Sequence, residues 1–228
     1  MNAARRSNFN AESVSYGVVG SSLAPDLLAY TPRGFWASEH TAKIGTGRER
    51  FEAARELLWQ WSVPLNSGIE LQDVVPGSDD GYRGINRGEF RQESDPNELL
   101  FTAQGFAYVN PGAQLSQRMR FGKSIIDAPA RVVLVLDEDR RAGYALGTLE
   151  GHPLIGEEAF VLTHRDDDTV WFTFRVLAQL ANPKLRLFTP LARLLHGRLA
   201  ERYLQSLHPV AGVVQAERFA ETDSDSRD

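Results

Sequence analysis

Five stretches rich in β-branched and aromatic residues follow one another through the chain, separated by turn-forming residues. They cover 99–109, 130–136, 142–149, 157–162 and 169–177. Each has the length of a strand, and the last two are joined by the polar tetrapeptide 165–168, which suits a hairpin. Successive strands with short connections usually pair antiparallel with their neighbours, so this part of the chain predicts an antiparallel meander.

A single long helix is predicted after the last strand, over about 183–207. Apolar residues recur along it at helical spacing and form one stripe, which consists of Phe188, Leu191, Leu194, Leu195, Leu199, Tyr203 and Leu204. The sheet is the only large partner that could cover this stripe. We therefore predict an α+β fold in which a curved antiparallel sheet wraps around the long C-terminal helix.

This layout is similar to the helix-grip arrangement of the START and Bet v 1 type, found in lipid-transfer and aromatic-ligand domains. In that arrangement a cavity lies between the bent sheet and the helix. The similarity implies a small hydrophobic or amphipathic ligand as the expected partner, although a fold alone does not fix a function.

An earlier helix is predicted from the spacing of Thr46 and Glu49, which matches a capping box. Pro64 and Gly68 end its pattern, and a strand is predicted over 68–75.

The expected organisation is a single domain over 16–208. We expect an N-terminal tail over 1–15 and an acidic, disordered tail over 209–228. The polar stretch 76–97 is rich in Gly, Asp, Arg and Asn and predicts a long loop.

Composition excludes several classes of function. The 228-residue chain has no cysteine, which removes disulfides, thiolate metal sites and cysteine nucleophiles. Its formal net charge of −5 argues against a nucleic-acid partner. The five histidines lack metal-ligand spacing, so we expect no metal and no cofactor, and we expect His164 and His196 at the surface or on a helix face. The polar N-terminus and the short apolar run 132–136 indicate a cytoplasmic protein without a signal peptide or transmembrane segment.

The most specific motif of the chain lies at 143–160. It reads Gly-Tyr-Ala-Leu-Gly-Thr-Leu-Glu-Gly-His-Pro-Leu-Ile-Gly-Glu-Glu-Ala-Phe. This string resembles the signature of DUF1990, an uncharacterised family of bacterial and plant proteins, and 16–20, 44–47 and 170–172 support the resemblance. The regions 62–120 and 178–183 depart from the family pattern. The family implies no established activity.

Adjacent strand residues point to opposite faces, so Glu157 and Glu158 should diverge. Glu157 is expected on the outer face, in a cross-strand ion pair with Arg175. Glu158 shares its face with Phe160, so it is the carboxylate expected to point toward the core. An inward carboxylate needs a hydrogen-bond partner or a position at a ligand.

A cluster around this carboxylate forms the candidate ligand-binding site. Its members are Tyr144, His152, Glu158, Phe172 and Phe174. Apolar pockets with a few converging polar groups are typical of small-molecule sites. Glu158 could instead be bonded internally by His152 or Tyr144, and His152 could pin the turn between two strands.

Three functions remain open from the sequence. The first is a binding module for a small hydrophobic or amphipathic molecule, without catalysis. The second is an enzyme that uses His152 and Glu158 as acid/base groups on the ligand. The third is a protein or membrane-surface interaction through the basic side chains of the C-terminal helix, which are Lys184, Arg186, Arg193, Arg198 and Arg202. The ligand's identity and the oligomeric state stay open.

Overall fold

The computed structural model describes residues 14–16, 19–77, 100–121 and 124–209. Within these residues the strands are β1 (Trp36–Thr46), β2 (Glu70–Val75), β3 (Gln114–Phe121), β4 (Ser124–Glu138), β5 (Arg141–Thr148), β6 (Leu154–His164) and β7 (Thr169–Leu180). The α-helices are α1 (Arg48–Trp59), α2 (Ser62–Asn66) and α3 (Thr189–Ser206), and a 3-10 segment, Pro183–Phe188, leads into α3. The predicted meander and the long C-terminal helix are therefore present.

The strands form one antiparallel sheet in the order β1-β7-β6-β5-β4-β3-β2. From β3 to β7 each strand pairs with the next in the chain, as the short connections predict. The first strand pairs with the last, from Trp36 opposite Ala178 to Thr46 opposite Thr169. The helices α1 and α2 then carry the chain to β2 at the other edge. Register shifts in β1, β2 and β4 interrupt the regular pleat, as expected in a strongly bent sheet.

The α-helices and the sheet enclose the main core. Helix α3 packs on β7 and β1 and against α2, while α1 packs on β6 and β5. Large side chains from both layers meet there, among them Phe51, Trp61, Phe160 and Phe174, all of them buried. The predicted α+β helix-grip architecture, a curved antiparallel sheet with a C-terminal helix on it, is confirmed.

Helix α3 differs from its predicted packing along its first half. Leu199 and Tyr203 are buried as expected, but Leu191, Leu194 and Leu195 are exposed. The buried side of the helix passes instead through His196. Leucine spacing predicts an apolar side of the helix, but α3 carries apolar residues on two sides. The spacing alone does not determine which of these two sides packs on the sheet.

The start of α1 also differs from the prediction. The helix begins at Arg48, its N-cap is Gly47, and no side chain caps it, so the Thr46–Glu49 capping box does not form. Gly47 has φ 91°, a conformation that favours glycine, so the N-cap position is held by a residue without a capping side chain, while Thr46 is still the last residue of β1. The helix ends before Trp61, which has φ 63° and donates its indole N–H to the carbonyl of Ala107 at 2.8 Å.

The opposite face of the sheet is covered near β5 and β6 by residues that precede β1. The backbone N–H of Ser15 donates to the carbonyl of Thr148 at 3.2 Å. A second small core forms there from Val133, Ala145 and Ala159, against which Val14 and Leu23 pack. This part of the sheet is therefore buried on both faces.

Some predicted boundaries changed, and others cannot be compared. The stretch 100–109 contains an isolated bridge between Phe101 and Ala107 where a strand was predicted, while β1 and β3 were not predicted. The predicted tails and the 76–97 loop lie outside the described residues, apart from 14, 15, 76, 77 and 209. None of the described helices is long and apolar enough to cross a membrane.

Candidate functional site

A carboxyl–imidazole pair links the sheet to the C-terminal helix. The side chain of Glu158 on β6 reaches the core side of the sheet, as its strand parity predicts, and its Oε1 lies 2.8 Å from Nε2 of His196 on α3. The Glu158 side chain is 15% exposed and that of His196 is 8% exposed, so most of the pair is shielded from water. The partner of the inward carboxylate is thus His196, and neither His152 nor Tyr144 fills that role.

The imidazole of His196 is held in place by aromatic rings. It stacks on Phe174 with ring centroids 5.6 Å apart and planes at 22°. The indole of Trp36 on β1 meets it edge-on at 6.5 Å. One stacked and one edge-on ring contact restrict the rotamer of His196, whose Nε2 faces the carboxyl group of Glu158.

Tyr144 is the most unusual polar group near this pair. Its side chain is fully buried, and its hydroxyl has no hydrogen-bond partner among the residues that the structure describes. Burial, and secondly the charge of Glu158, raise the pKa of Tyr144, which keeps the phenol neutral. A buried hydroxyl without a partner costs about 1–3 kcal/mol, so such groups are rare in folded proteins.

The other candidate aromatic residues belong to the same buried core cluster as Tyr144. Phe172 and Phe174 on β7 are fully buried. Phe160 joins them, with its ring centroid 5.1 Å from that of Tyr144 and 5.2 Å from that of Phe174. Tyr203 of α3 packs edge-on against Phe160 at 5.2 Å, and it donates its hydroxyl to Oε1 of Gln117 at 3.4 Å. One tyrosine of this aromatic cluster therefore has a protein acceptor, and the other has none in the described part of the chain.

His152 lies at the turn between β5 and β6 and is bonded locally. The backbone N–H of Leu154 donates to its Nδ1 at 2.9 Å. Burial lowers the pKa of His152, although the nearby Glu158 acts in the opposite direction. The neutral ring pins the turn, which is the structural alternative that its position in the motif suggested.

His40 and Trp36 are site residues that the sequence did not indicate. His40 on β1 stacks on Phe174 at 6.3 Å, on a ring that His196 also contacts, and its Nε2 lies 3.2 Å from Oγ of Ser38. Burial, and then the charge of His196, lower the pKa of His40. Strand β1 carries few large apolar residues, so nothing local marked it as a strand. His196 had one usable signal, because it lies three and seven residues before Leu199 and Tyr203.

Glu157 has a different environment from the one predicted. It does face away from the α-helices, but it is 1% exposed and does not pair with Arg175, which bonds Glu39 at 2.6 Å. Its carboxylate accepts the hydroxyl of Tyr16 at 2.7 Å, the N–H of Gly20 at 2.8 Å, and both the N–H and the hydroxyl of Ser22. The prediction failed because these donors come from a segment more than 130 residues away in sequence.

Of the two histidines expected at the surface or on a helix face, His196 lies on helix α3, although on its buried side, and the expectation for His164 was wrong. His164 lies at the end of β6 and is mostly buried, and its Nε2 lies 2.7 Å from Oδ1 of Asp168. In the described residues no three His, Asp or Glu side chains are grouped so that they could hold a metal ion.

The motif glycines are required by close contacts on both faces of the sheet. At Gly156, with φ 150°, an added Cβ would lie 1.9 Å from the carbonyl oxygen of Leu177. At Gly147 it would lie 2.6 Å from the hydroxyl of Tyr16, which binds Glu157. Glycine at these two positions therefore lets the backbone of β7 approach β6 and lets the N-terminal segment approach β5.

Similar solved structures cover most of the chain at low identity. A hypothetical protein, jhp0584, from Helicobacter pylori gives a TM-score of 0.48 with 14% identity, covering 78% of this chain and 87% of that one. The major latex-like protein 151 of Panax ginseng gives 0.44 with 13% identity, covering 77% and 99%. The fold assignment itself stands on the strand pairing described above.

The fold and the buried pair define the class as an α+β helix-grip protein with a polar group on the helix-covered face of its sheet. The family model described as a domain of unknown function, DUF1990, matches residues 15–90 and 94–206. The chain therefore belongs to the DUF1990 family, which confirms the resemblance of its motif. A UPF0548 protein of Deinococcus radiodurans is 37% identical over 82 residues, a match that spans 36% of this chain and 41% of that relative.

Proposed function

We propose that this protein is a binding module for a small amphipathic molecule, held between the sheet and α3 beside Glu158 and His196. The observation that carries the proposal is the fully buried hydroxyl of Tyr144, which lacks a partner among the described residues. The hydroxyl has no accessible surface in the ligand-free protein, so ligand entry requires the neighbouring side chains to move apart. One hydrogen-bonding group of the ligand would then satisfy this hydroxyl and remove its desolvation cost.

The surroundings of Tyr144 suggest the chemistry of the ligand. The aromatic cluster of Tyr144, Phe160, Phe172, Phe174 and Tyr203 is buried in the core, and it would supply the apolar contacts once the ligand has entered between the sheet and α3. The neutral phenol can donate one hydrogen bond, and a carboxyl group has lone pairs beyond the one that faces His196. A molecule with an apolar body and a hydroxyl or carbonyl group matches this combination.

An acid/base enzyme that uses His152 and Glu158 is less well supported. Nδ1 of His152 is engaged by the backbone of Leu154, and Glu158 is bonded by His196. A general base should reach the proton that it removes, and this pairing leaves no direct contact between the two expected groups.

Native mass spectrometry of the purified full chain, followed by solvent extraction, tests the binding proposal. Oleic acid and 2-naphthol serve as added probes, because each combines an apolar body with one polar group. We expect a bound small molecule in the wild type, and about five- to tenfold weaker binding in Tyr144→Phe and Glu158→Gln, the loss of about one hydrogen bond.

The matched control is Tyr108→Phe, because the Tyr108 hydroxyl bonds Glu56 and Gln60 outside the aromatic cluster. This variant should bind like the wild type. Equal binding by all three variants, or no extracted molecule and no binding of either probe, would contradict the proposal.

A further inference from the structure

The segment that leads into α3 exposes an unusual number of large apolar side chains. We define the α3 apolar surface as Leu185, Leu187, Phe188, Leu191, Leu194 and Leu195, each at least 36% exposed. Leu187 is 87% exposed and Phe188 is 55% exposed, so these side chains protrude from the body of the protein. Contiguous exposed apolar surface of this kind usually marks an interaction site.

Basic side chains alternate with these apolar ones, and acidic side chains are absent. Lys184, Arg186, Arg193 and Arg198 are all exposed within this stretch. The sequence contains no Asp or Glu between Asp168 and Glu201, although the whole chain has a net charge of −5. None of the four cations forms an ion pair with a carboxylate of the described residues. A local positive field therefore surrounds the α3 apolar surface.

We propose that the α3 apolar surface docks the protein on an anionic phospholipid membrane. Exposed leucine and phenylalanine side chains flanked by Lys and Arg are the pattern of interfacial segments, which insert apolar groups at the headgroup boundary while the cations contact anionic lipid. The long Lys and Arg side chains can extend toward the headgroups from positions between the inserted residues.

The shape and charge of this surface favour a membrane over a second copy of the chain. A symmetric dimer through the same surface would bring its four cations against four identical cations. Leu187 also protrudes, and a protruding leucine needs a matching cavity in a protein partner but none in fluid hydrocarbon. The inner side of α3 stays on the sheet through Leu199 and Tyr203, so docking requires no unfolding of the helix.

Vesicle cosedimentation of the full-length protein tests this inference. The probes are phosphatidylcholine vesicles with and without about 30 mol % phosphatidylglycerol, since anionic lipid supplies the attraction. We expect binding to the anionic vesicles only, with a decrease as salt is raised. Arg193→Glu/Arg198→Glu should weaken binding at least about 25-fold, about fivefold for each cation removed, and Leu187→Ser/Leu191→Ser should abolish it.

The matched control is Ile125→Ser, which removes a side chain that is 52% exposed on β4, outside the α3 apolar surface. This variant should bind like the wild type, and thermal melting confirms that each variant is folded. Equal binding to neutral and anionic vesicles, or full binding by Leu187→Ser/Leu191→Ser, would overturn the inference. The inference would also be overturned if the wild type bound neither kind of vesicle. In that case, a change from dimer to monomer in Leu187→Ser/Leu191→Ser, measured by light scattering, would identify the α3 apolar surface as a dimer interface instead.

Discussion

Replacing Tyr144 with phenylalanine should stabilise the ligand-free protein, although it removes a polar group from the centre of the core. The Tyr144 side chain is fully buried, and its hydroxyl has no partner among the described residues. A hydroxyl in that condition costs about 1–3 kcal/mol relative to water. Deleting it leaves a void smaller than a methyl group, which costs less than about 1 kcal/mol. Tyr144→Phe should therefore raise the free energy of unfolding of the ligand-free protein by about 1 kcal/mol.

Tyr203 provides the matched comparison within the same aromatic cluster. Its side chain is also buried, but its hydroxyl donates to Gln117 at 3.4 Å. Tyr203→Phe removes that long hydrogen bond and leaves a buried amide oxygen unpaired, so it should destabilise the protein by about 1 kcal/mol. The same deletion of one oxygen, made at two neighbouring tyrosines, should thus change the free energy of unfolding in opposite directions.

Urea denaturation and thermal melting of ligand-stripped protein measure both effects. For a chain of this size, 1 kcal/mol corresponds to about 2–4 °C in melting temperature. A loss of 1 kcal/mol or more in Tyr144→Phe, similar to that in Tyr203→Phe, would refute the reasoning. It would show that the Tyr144 hydroxyl has a partner in the free protein, and the main support for the binding proposal would be lost.

Two further changes test the carboxylate on the other face and the histidine at the turn. Glu157→Gln should lower the free energy of unfolding by about 3 kcal/mol in urea denaturation, because an amide nitrogen would face at least one of the donors from Tyr16, Gly20 and Ser22. The control is Glu39→Gln, which weakens the part-exposed pair with Arg175 and should lower it by less than about 1 kcal/mol. Similar losses in the two variants would contradict this assignment. The pKa of His152 is lowered from 6.5 in the folded protein, so as the pH falls the unfolded chain is protonated at this residue before the folded protein is. The contribution of His152 to stability should therefore be complete above pH 6.5 and decline as the pH falls below it. Histidine titrates over about pH 7.5 to 5, and across this range the free energy of unfolding should fall less steeply in His152→Asn than in the wild type. An unchanged slope would contradict this role of His152.

Local patterns predicted most of the fold. Strands β4 to β7 alternate or are continuously apolar, and α3 is long and periodic, so the element types and the helix-grip layout followed from the sequence. Strand β1 did not, because Trp36–Thr46 is an edge strand with small and polar residues at many positions. Its pairing with β7 depends on contacts more than 120 residues apart, which no local pattern records.

For the candidate site, the alternation of side chains along a strand predicted which face of the sheet each glutamate points to. Parity placed Glu158 on the helix-covered face and Glu157 on the other, and both directions agree with the structure. The partners of these carboxylates were not predictable in the same way. His196 depends on the rotation of α3 about its axis, and the donors to Glu157 depend on where the N-terminal segment crosses the sheet.

Helix α3 connects the two proposals, because one side of it belongs to the proposed ligand site and a different side belongs to the α3 apolar surface. His196 faces the sheet and bonds Glu158, while the adjacent Leu195 faces outward in the α3 apolar surface. Neighbouring helix positions diverge by about 100°, so substitutions on one side need not disturb the other. Tyr144→Phe should therefore leave vesicle binding unchanged, and Leu187→Ser/Leu191→Ser should leave probe binding unchanged. If either variant altered both properties, the two sites would be coupled through α3, and membrane contact would then bear directly on ligand entry or release.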